Sequence, residues 1–307
     1  MKPVPAASPY SAVKGSLLAI TGATMWGIMG IFVRNLTASG YTSAEISFLR
    51  CLLAGSGLFL LTAITKPTAL RITPKGLVIA VLYGLSAYGL GFLTYSVAVA
   101  RIPVAVATVL MFMSPIWVVV LGVLVFHDPV RKKTVVTVLV CVLGAALVAD
   151  VFSASAGTMD GLGLLAGIVN GFCVALQIMV PRYFAKTIDR DTILVYGFLG
   201  ACVGLGFLTD FSTIFISLQS PSAPLVLVNI LCLGLLCTMV ANTAMVKATV
   251  WISTTTCSIL SSLEVIVGAV VGLLAFHETM NPLQIIGAVV VVCAALGPTV
   301  LTRSKTP

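Results

Sequence analysis

The sequence predicts an all-α integral membrane protein with ten transmembrane helices, arranged as two inverted repeats of five helices. Three observations support this fold: the chain is strongly apolar, its apolar stretches have the length of membrane spans, and its two halves are similar. Hydrophobic residues make up 59% of the chain and charged residues 8%, and the mean hydropathy is +1.16. No water-soluble domain has this composition.

The apolar stretches are separated by proline, glycine and charged residues. Each is close to the roughly 20 residues that a helix needs to cross a bilayer. The ten predicted spans are about 14–34, 43–65, 75–99, 103–126, 133–152, 159–181, 192–214, 224–246, 251–276 and 282–301. The first is too long for the apolar part of a signal peptide, so we expect a retained helix. The loops are short, and almost the whole chain is expected to lie in the membrane.

A repeat with a constant offset of 150 residues relates the two halves. Residues 94–128 align with residues 244–278, and both segments finish with phenylalanine, histidine and an acidic residue. Matches of glycine, histidine and acid at one fixed spacing are not expected from apolar composition alone. We therefore infer an internal duplication.

Basic residues orient the spans because they collect in cytoplasmic loops. With the N-terminus inside, every cytoplasmic loop carries a Lys or Arg, whereas the outer side holds only Arg34 and Arg101. Both termini are then cytoplasmic. Since each half crosses the membrane five times, the second domain, residues 153–307, is inverted relative to the first, residues 1–152. The net charge of +8 follows from this bias and from contact with anionic lipid heads, so no nucleic acid partner is expected.

The histidines and cysteines indicate neither a metal site nor a disulfide framework, and no cofactor is expected. His127 and His277 follow matching spans of inverted repeats, so we expect them on opposite faces of the membrane. We interpret them as interfacial loop residues, with gating or pH sensing as the alternative. The eight cysteines fall inside apolar stretches and form no Cys-x-x-Cys pair, which is typical of small core residues.

Glu264 is the foremost candidate site residue, because a carboxylate near the middle of a span usually faces a cavity or a partner. It could contact a substrate amine or carry the proton of an antiport cycle. The alternative is an ion pair with Arg50, about seven residues into the second span. We expect Arg50 to be a structural brace, since Glu45 lies on a different face of the same helix. Ser114 is equivalent to Glu264 by the offset, so only one repeat carries the carboxylate.

Small polar side chains in the sixth, eighth and ninth spans are further candidates. Hydroxyls recur at helical spacing before Glu264, which predicts either the lining of a water-filled path or a close helix contact. Amides, two of them seven residues apart on one helical face, could bind a substrate or a neighbouring helix. These residues are Thr254, Ser258, Ser261, Ser262, Asn170, Gln177 and Asn242.

Aromatic and methionine side chains predict an adaptable apolar wall, suited to an apolar, aromatic or chemically varied substrate. Core packing and interfacial belts are the alternatives. The predicted lining residues are Trp26, Tyr88, Tyr95 and Met111, with Tyr83, Phe112, Met113 and Trp117 in the same spans. Pro103 and Pro115 are expected to start and kink the fourth span, which would provide a hinge.

Four short motifs resemble the EamA branch of the drug/metabolite transporter superfamily. They are Met25-Trp26-Gly27, Arg50, Ser114-Pro115 and Leu263-Glu264, with an acidic residue just after the fourth and ninth spans. The resemblance covers nearly the whole chain. The sequence departs from it at Val265, where many members have proline, and at His127 and His277, where many have glycine.

The resemblance implies an exporter or exchanger of small metabolites, often amino acids or related compounds. Together with the inverted repeat, it predicts a secondary active transporter of the inner membrane that works by alternating access. It also implies a central cavity lined by spans 1, 3, 4, 6, 8 and 9, and a monomer or a homodimer formed through spans 5 and 10. The alternatives are a drug or nucleotide-sugar carrier, a passive channel and a membrane-embedded enzyme. Enzyme chemistry is not expected, because the chain has no His-Glu-x-x-His, Walker or Gly-x-Ser-x-Gly motif.

Overall fold

A computed structural model describes residues 9–102, 104–127, 132–148, 160–276 and 281–301. Nearly all of these residues are helical, and they include no β-strand. The predicted all-α fold is confirmed. The predicted boundary between the two domains, at residues 152 and 153, lies outside the described residues.

The first half contributes eight α-helices and two short irregular helices. The α-helices are α1 (Pro9–Gly27), α2 (Met29–Ala38), α3 (Ser43–Thr65), α4 (Pro74–Gly84), α5 (Gly91–Arg101), α6 (Val104–Met111), α7 (Ser114–Phe126) and α8 (Lys132–Val148). A 3-10 helix at Pro67–Leu70 precedes α4, and a π-helix at Leu85–Leu90 joins α4 to α5. The segments from α4 to α5 therefore form one long span.

The second half is built in the same way. Its α-helices are α9 (Gly161–Tyr183), α10 (Arg190–Gly206), α11 (Phe211–Leu218), α12 (Ala223–Leu231), α13 (Ala241–Ala248), α14 (Thr254–Ser261), α15 (Leu263–Phe276) and α16 (Pro282–Leu301). A 3-10 helix at Phe184–Lys186 follows α9, and a π-helix at Cys232–Val240 joins α12 to α13.

Within the described residues, seven helical stretches are long and apolar enough to cross a membrane, and the bent pair α10 and α11 would make an eighth. A multi-pass membrane protein is confirmed, while the number of ten spans stays a prediction. The predicted span at 192–214 is not a single straight helix, because the chain bends by 99° between α10 and α11. Asp210 starts the new helix by accepting hydrogen bonds from the backbone nitrogen of Ser212 at 2.9 Å and from its hydroxyl at 2.7 Å.

Helix breaks recur at the offset of 150 residues. The fourth span is interrupted at Phe112 and the ninth at Ser262, which is the equivalent position. Pro115 explains the first break, since a proline inside a helix removes a backbone donor and clashes with the preceding turn. Val265 stands at the equivalent of this proline, and there the break is a tight turn from its nitrogen to the carbonyl of Ser262, 3.1 Å. Pro103 lies outside the described residues.

The two π-helices are a second matching feature. The offset of 150 maps Leu85–Leu90 onto residues 235–240, inside the π-helix at Cys232–Val240. A π-helix shifts the backbone hydrogen-bond ladder, widens the helix and is frequent at functional sites. Each repeat therefore contains one irregular segment in the middle of a long span.

The largest helix contacts join the two halves, as in the pairs α3 with α10, α5 with α9, α1 with α13 and α8 with α16. Glycine permits two of the closest approaches. A Cβ atom at Gly84 would clash with the carbonyl of Gly197, and one at Gly287 would lie 2.7 Å from the carbonyl oxygen of Gly144. The pair α8 and α16, the predicted spans 5 and 10, exposes apolar side chains such as Leu143 on its outer side. This agrees with a peripheral position, and the oligomeric state stays a prediction.

Candidate functional site

Glu264 lies in the first turn of α15, just after the helix break at Ser262 and near the middle of the ninth span. Its side chain is half-buried. Among the described residues it makes neither a hydrogen bond nor an ion pair, although its charge interacts with Arg50 and with Tyr95. A carboxylate in this position is stabilised by water, a proton or a ligand.

Arg50 lies early in α3 and is 8% exposed. Its Nε donates a hydrogen bond to Oγ1 of Thr238 at 3.1 Å, and its guanidinium lies 4.3 Å from the ring centroid of Phe92. Arg50 thereby connects the second span to the third and the eighth. It forms no ion pair with Glu264 within 4.0 Å, so the two described groups interact only through space. Glu45 caps the start of α3 instead.

Buried hydrogen bonds link the third span to the eighth. The hydroxyls of Tyr83 and Tyr88 are 3.0 Å apart, and the Tyr88 hydroxyl donates to Oδ1 of Asn242 at 3.2 Å. The Asn242 amide in turn donates to the carbonyl of Thr238 at 2.8 Å, while Phe198 stacks on Tyr88. Tyr88 is 1% exposed and Asn242 4%, so these two predicted substrate contacts are enclosed by protein in this conformation.

The amides of Asn170 and Gln177 bind the backbone around the first π-helix. Gln177 Nε2 donates to the carbonyl of Ala87 at 3.0 Å, and Asn170 Nδ2 donates to the carbonyl of Gly91 at 2.6 Å. The two residues share one face of α9, as their spacing predicts. Their amide donors are used between helices in this structure, and Oδ1 of Asn170 is enclosed without a partner.

The hydroxyl stripe of the ninth span is packed against neighbouring helices. Thr254 accepts a hydrogen bond from Arg182 Nη1 at 2.8 Å, and Ser261 donates to the carbonyl of Ser258 at 2.7 Å. All three stripe residues are at most 5% exposed, and the hydroxyl of Ser258 is enclosed without a partner. Ser262 is also enclosed and bonds to Cys141 of α8. Close helix contact, one of the two alternatives, describes these side chains here.

The residues of the predicted apolar wall do not all lie in one place: some are packed in the core and others are half-buried. Trp26 is 8% exposed and packs in a cluster that includes Met245. Tyr95 and Met111 are half-buried, and the Tyr95 side chain hydrogen-bonds to Thr108. Of the predicted site residues, the structure thus brings Tyr95 and Arg50 near Glu264.

Two residues of this interior, Phe92 and Thr238, are not among the residues predicted from the sequence. Both contact Arg50. The repeat could have identified both residues. At the offset of 150, Thr238 is the equivalent of Tyr88 and Phe92 is the equivalent of Asn242. The predicted residues Tyr88 and Asn242 are therefore repeat partners of the residues that hold Arg50.

Ion pairs lie at the two ends of the protein. Lys66 and Lys247, both predicted to be cytoplasmic, lie 3.5 Å and 3.6 Å from the carboxylate of Asp191. Arg101 and Asp160, both predicted to lie outside, pair at 2.8 Å. Charges assigned to the same side of the membrane thus meet, and the orientation itself stays a prediction.

No group of three or more His, Cys, Asp or Glu residues that could hold a metal ion occurs in the described part of the chain. His127 ends α7 with a left-handed backbone, φ 55°, and His277 lies outside the described residues. All eight cysteines are free thiols, six of them buried, while Cys232 is partly exposed and Cys293 exposed.

Apolar helices from two related halves, enclosing a buried arginine and a half-buried carboxylate, define a multi-pass membrane protein with a polar interior. The model of the EamA-like transporter family matches residues 13–149 and 161–299. The chain belongs to this family, and the resemblance noted from its motifs is confirmed. The family is one of transporters, and the apolar helices of this chain agree with a membrane environment.

Several relatives are named as transporters or exporters. The "Pseudopaline exporter CntI" of Pseudomonas aeruginosa is 27% identical over 171 residues, which is 55% of this chain and 58% of the exporter. An uncharacterized transporter of Helicobacter pylori is 25% identical over 59% of both chains, and one of Archaeoglobus fulgidus is 24% identical over 92% of this chain and 95% of the relative. The first two matches thus span little more than half of the relatives' length.

The fold is also found in a solved structure. A crystal structure titled only "Crystal structure of protein" aligns with a TM-score of 0.75 over 95% of this chain and 99% of that chain. The sequence identity is 13%, so this likeness concerns the fold alone.

Proposed function

We propose that the protein is a secondary active transporter that exports small metabolites, such as amino acids or related compounds, across the inner membrane by alternating access. The single observation that carries this proposal is Glu264, a half-buried carboxylate in mid-span with no partner among the described residues. Membership in a transporter family and a relative named as an exporter support it. Glu264 binds a substrate amine or a proton in turn, and so couples transport to a gradient.

Counterflow in liposomes tests the transport cycle. Purified protein is reconstituted, the liposomes are loaded with one unlabelled amino acid at a time, and uptake of the labelled compound is measured. An alternating-access transporter gives saturable uptake that internal substrate accelerates, whereas a passive channel gives neither. Drugs and nucleotide sugars are included in the same assay as the alternative substrate classes.

Glu264→Gln tests the coupling role because it removes the titratable proton and nearly preserves the shape of the side chain. We expect transport by the variant to lose the pH dependence of the wild type. Asp210→Asn is the control, since Asp210 is an exposed helix cap. An unaltered pH dependence in Glu264→Gln would rule out the proton-carrier role.

We also propose that both termini face the cytoplasm, on the basis of the basic residues in the predicted inner loops. A reporter protein that fluoresces only in the cytoplasm is fused to the C-terminus, and alkaline phosphatase, which is active only outside, is fused in parallel. Fluorescence with no phosphatase activity is expected. The opposite pattern would contradict this orientation.

A further inference from the structure

Arg50 has more hydrogen-bonding capacity than the described protein uses. A guanidinium carries five N–H donors, and the hydrogen bond that Arg50 makes in the described part of the chain runs from Nε to Thr238. Its terminal nitrogens are not among the fully enclosed polar atoms that lack a partner, so they border open space. A buried cation without a carboxylate contact is unfavourable unless water or an anion reaches it.

Glu264 has the complementary property. Its oxygens also have no hydrogen-bond partner among the described residues and are not fully enclosed. Its charge interacts with that of Arg50, yet the two groups are farther apart than the 4.0 Å of an ion pair. Two opposite charges with accessible polar atoms and no direct contact can each bind an oppositely charged group of a third molecule.

One side of α5 lies near both charges. Phe92 packs against the guanidinium of Arg50, and Tyr95, three residues later, interacts with Glu264. Residues three apart lie on the same side of a helix, about 4.5 Å apart along its axis. Arg50 and Glu264 therefore both lie near the same half-buried aromatic side of α5.

We propose that Arg50 binds the carboxylate, and Glu264 the ammonium group, of a small zwitterionic substrate. This proposal rests on the proposed transport function and assigns the substrate groups within that site. Because Thr238 holds Nε, the terminal nitrogens of Arg50 present a fixed planar fork that fits a carboxylate through two hydrogen bonds. A sugar or a simple amine leaves at least one of the two buried charges unpaired, so the site rejects it.

Chemical blocking of each end of the ligand tests this assignment. The purified full-length protein is titrated with the twenty proteinogenic L-amino acids in free, methyl-ester and N-acetyl form, and binding is followed by thermal shift. The wild type is expected to bind a free amino acid at least about tenfold more tightly than either blocked form. Arg50→Lys keeps the charge but loses the fork, so we expect weaker binding of the free form and unchanged binding of the ester.

Thr238→Val separates recognition from bracing, because it removes the contact to Nε and leaves the terminal nitrogens intact. This variant is expected to weaken the preference for the free acid over the ester less than Arg50→Lys does, because the guanidinium itself is kept. Equal weakening of both forms in Arg50→Lys, or a preference lost to the same degree in Thr238→Val, would show that Arg50 is only a brace and overturn the proposal.

The outcomes also separate this proposal from the transport function. If liposomes transport another metabolite and the wild type does not distinguish free from blocked amino acids, the transport function stands and the zwitterion assignment is overturned. If no compound in the counterflow assay moves, the proposed function fails, and the assignment fails with it.

Discussion

The hydroxyl of Tyr88 donates a hydrogen bond to the side-chain oxygen of Asn242, 3.2 Å away, and so joins the third span to the eighth. The two residues belong to different repeats, and Tyr88 lies within one of the two π-helices. The repeat equivalent of Tyr88 is Thr238, which lies within the other π-helix and holds Arg50. A single buried polar network thus runs from the irregular segment of one half to that of the other.

Tyr88→Phe removes the hydroxyl from this network and leaves the Asn242 oxygen without that donor. We expect a loss of stability of about 0.6 kcal/mol, the average for hydrogen bonds between membrane helices, and at most about 1.7 kcal/mol. Unfolding of Tyr88→Phe, Asn242→Leu and the double variant gives the coupling energy. The control is Tyr196→Phe, because the Tyr196 hydroxyl binds the Leu70 carbonyl and not Asn242. The stability losses of Tyr196→Phe and Asn242→Leu should be additive. Additivity between Tyr88 and Asn242 would contradict the importance of their contact.

Gln177→Met keeps the length of the side chain and removes the donor to the carbonyl of Ala87. We expect faster backbone hydrogen exchange across residues 85–91 and a lower melting temperature, because a buried carbonyl loses a partner. Hydrogen exchange followed by mass spectrometry measures the first effect. Gln219→Met, at an exposed position after α11, should change neither. Unchanged exchange at 85–91 in Gln177→Met would mean that the amide does not hold the π-helix.

Gly84→Ala places a methyl group against the carbonyl of Gly197 where α4 crosses α10. Backbone cannot move aside easily, so we expect a loss of at least about 1 to 3 kcal/mol, as for other overpacked sites. Gly30→Ala is the matched control, since nothing lies within 4 Å of the added methyl group. Alanine at that helical position should be neutral or stabilising by up to about 1 kcal/mol. Size-exclusion profiles and melting temperatures compare the two, and equal stability would contradict the tight crossing.

Asp160 has a pKa below its ordinary value, chiefly because Arg101 donates a hydrogen bond to it, with a further contribution from the backbone N–H of Leu162. A lowered pKa in the folded protein means that the ionised aspartate contributes stability above its ordinary pKa. That contribution is lost as the pH falls through the lowered value. We therefore expect Arg101→Gln to reduce the dependence of the melting temperature on pH between roughly 5 and 3. If the melting temperature depends on pH in the same way in the wild type and in Arg101→Gln, the ion pair with Asp160 does not contribute to stability.

The positions of helices and their breaks could be predicted well because they depend on local properties. Apolar length identifies a span, and Pro115 marks a helix break through its missing backbone donor. The bend between α10 and α11 could not be predicted in this way, since residues 192–214 are continuously apolar apart from Asp210 and a few small polar side chains. Hydropathy identifies the apolar stretch there, but it does not record a change of helix direction.

In the candidate site, too, some features could be predicted from local sequence properties and others could not. Glu264 could be singled out because a carboxylate in an apolar span is unusual in any sequence. The partners of Asn170 and Gln177 could not be predicted from the sequence, because the side-chain amides of these residues donate to backbone carbonyls of the other half. An amide side chain has the same appearance in the sequence whether it meets a substrate or a neighbouring helix.

The sequence by itself determined that the chain is a helical membrane protein with two related halves and one mid-span carboxylate. Composition, periodicity and the offset of 150 carry that information, since each depends on residue type and spacing alone. The tertiary structure decided that Arg50 binds Thr238 and Phe92 and lies near Glu264 without pairing with it. Partners of buried polar groups are set by which distant segments pack together, because a polar group enclosed by protein must bind whatever the fold brings within reach.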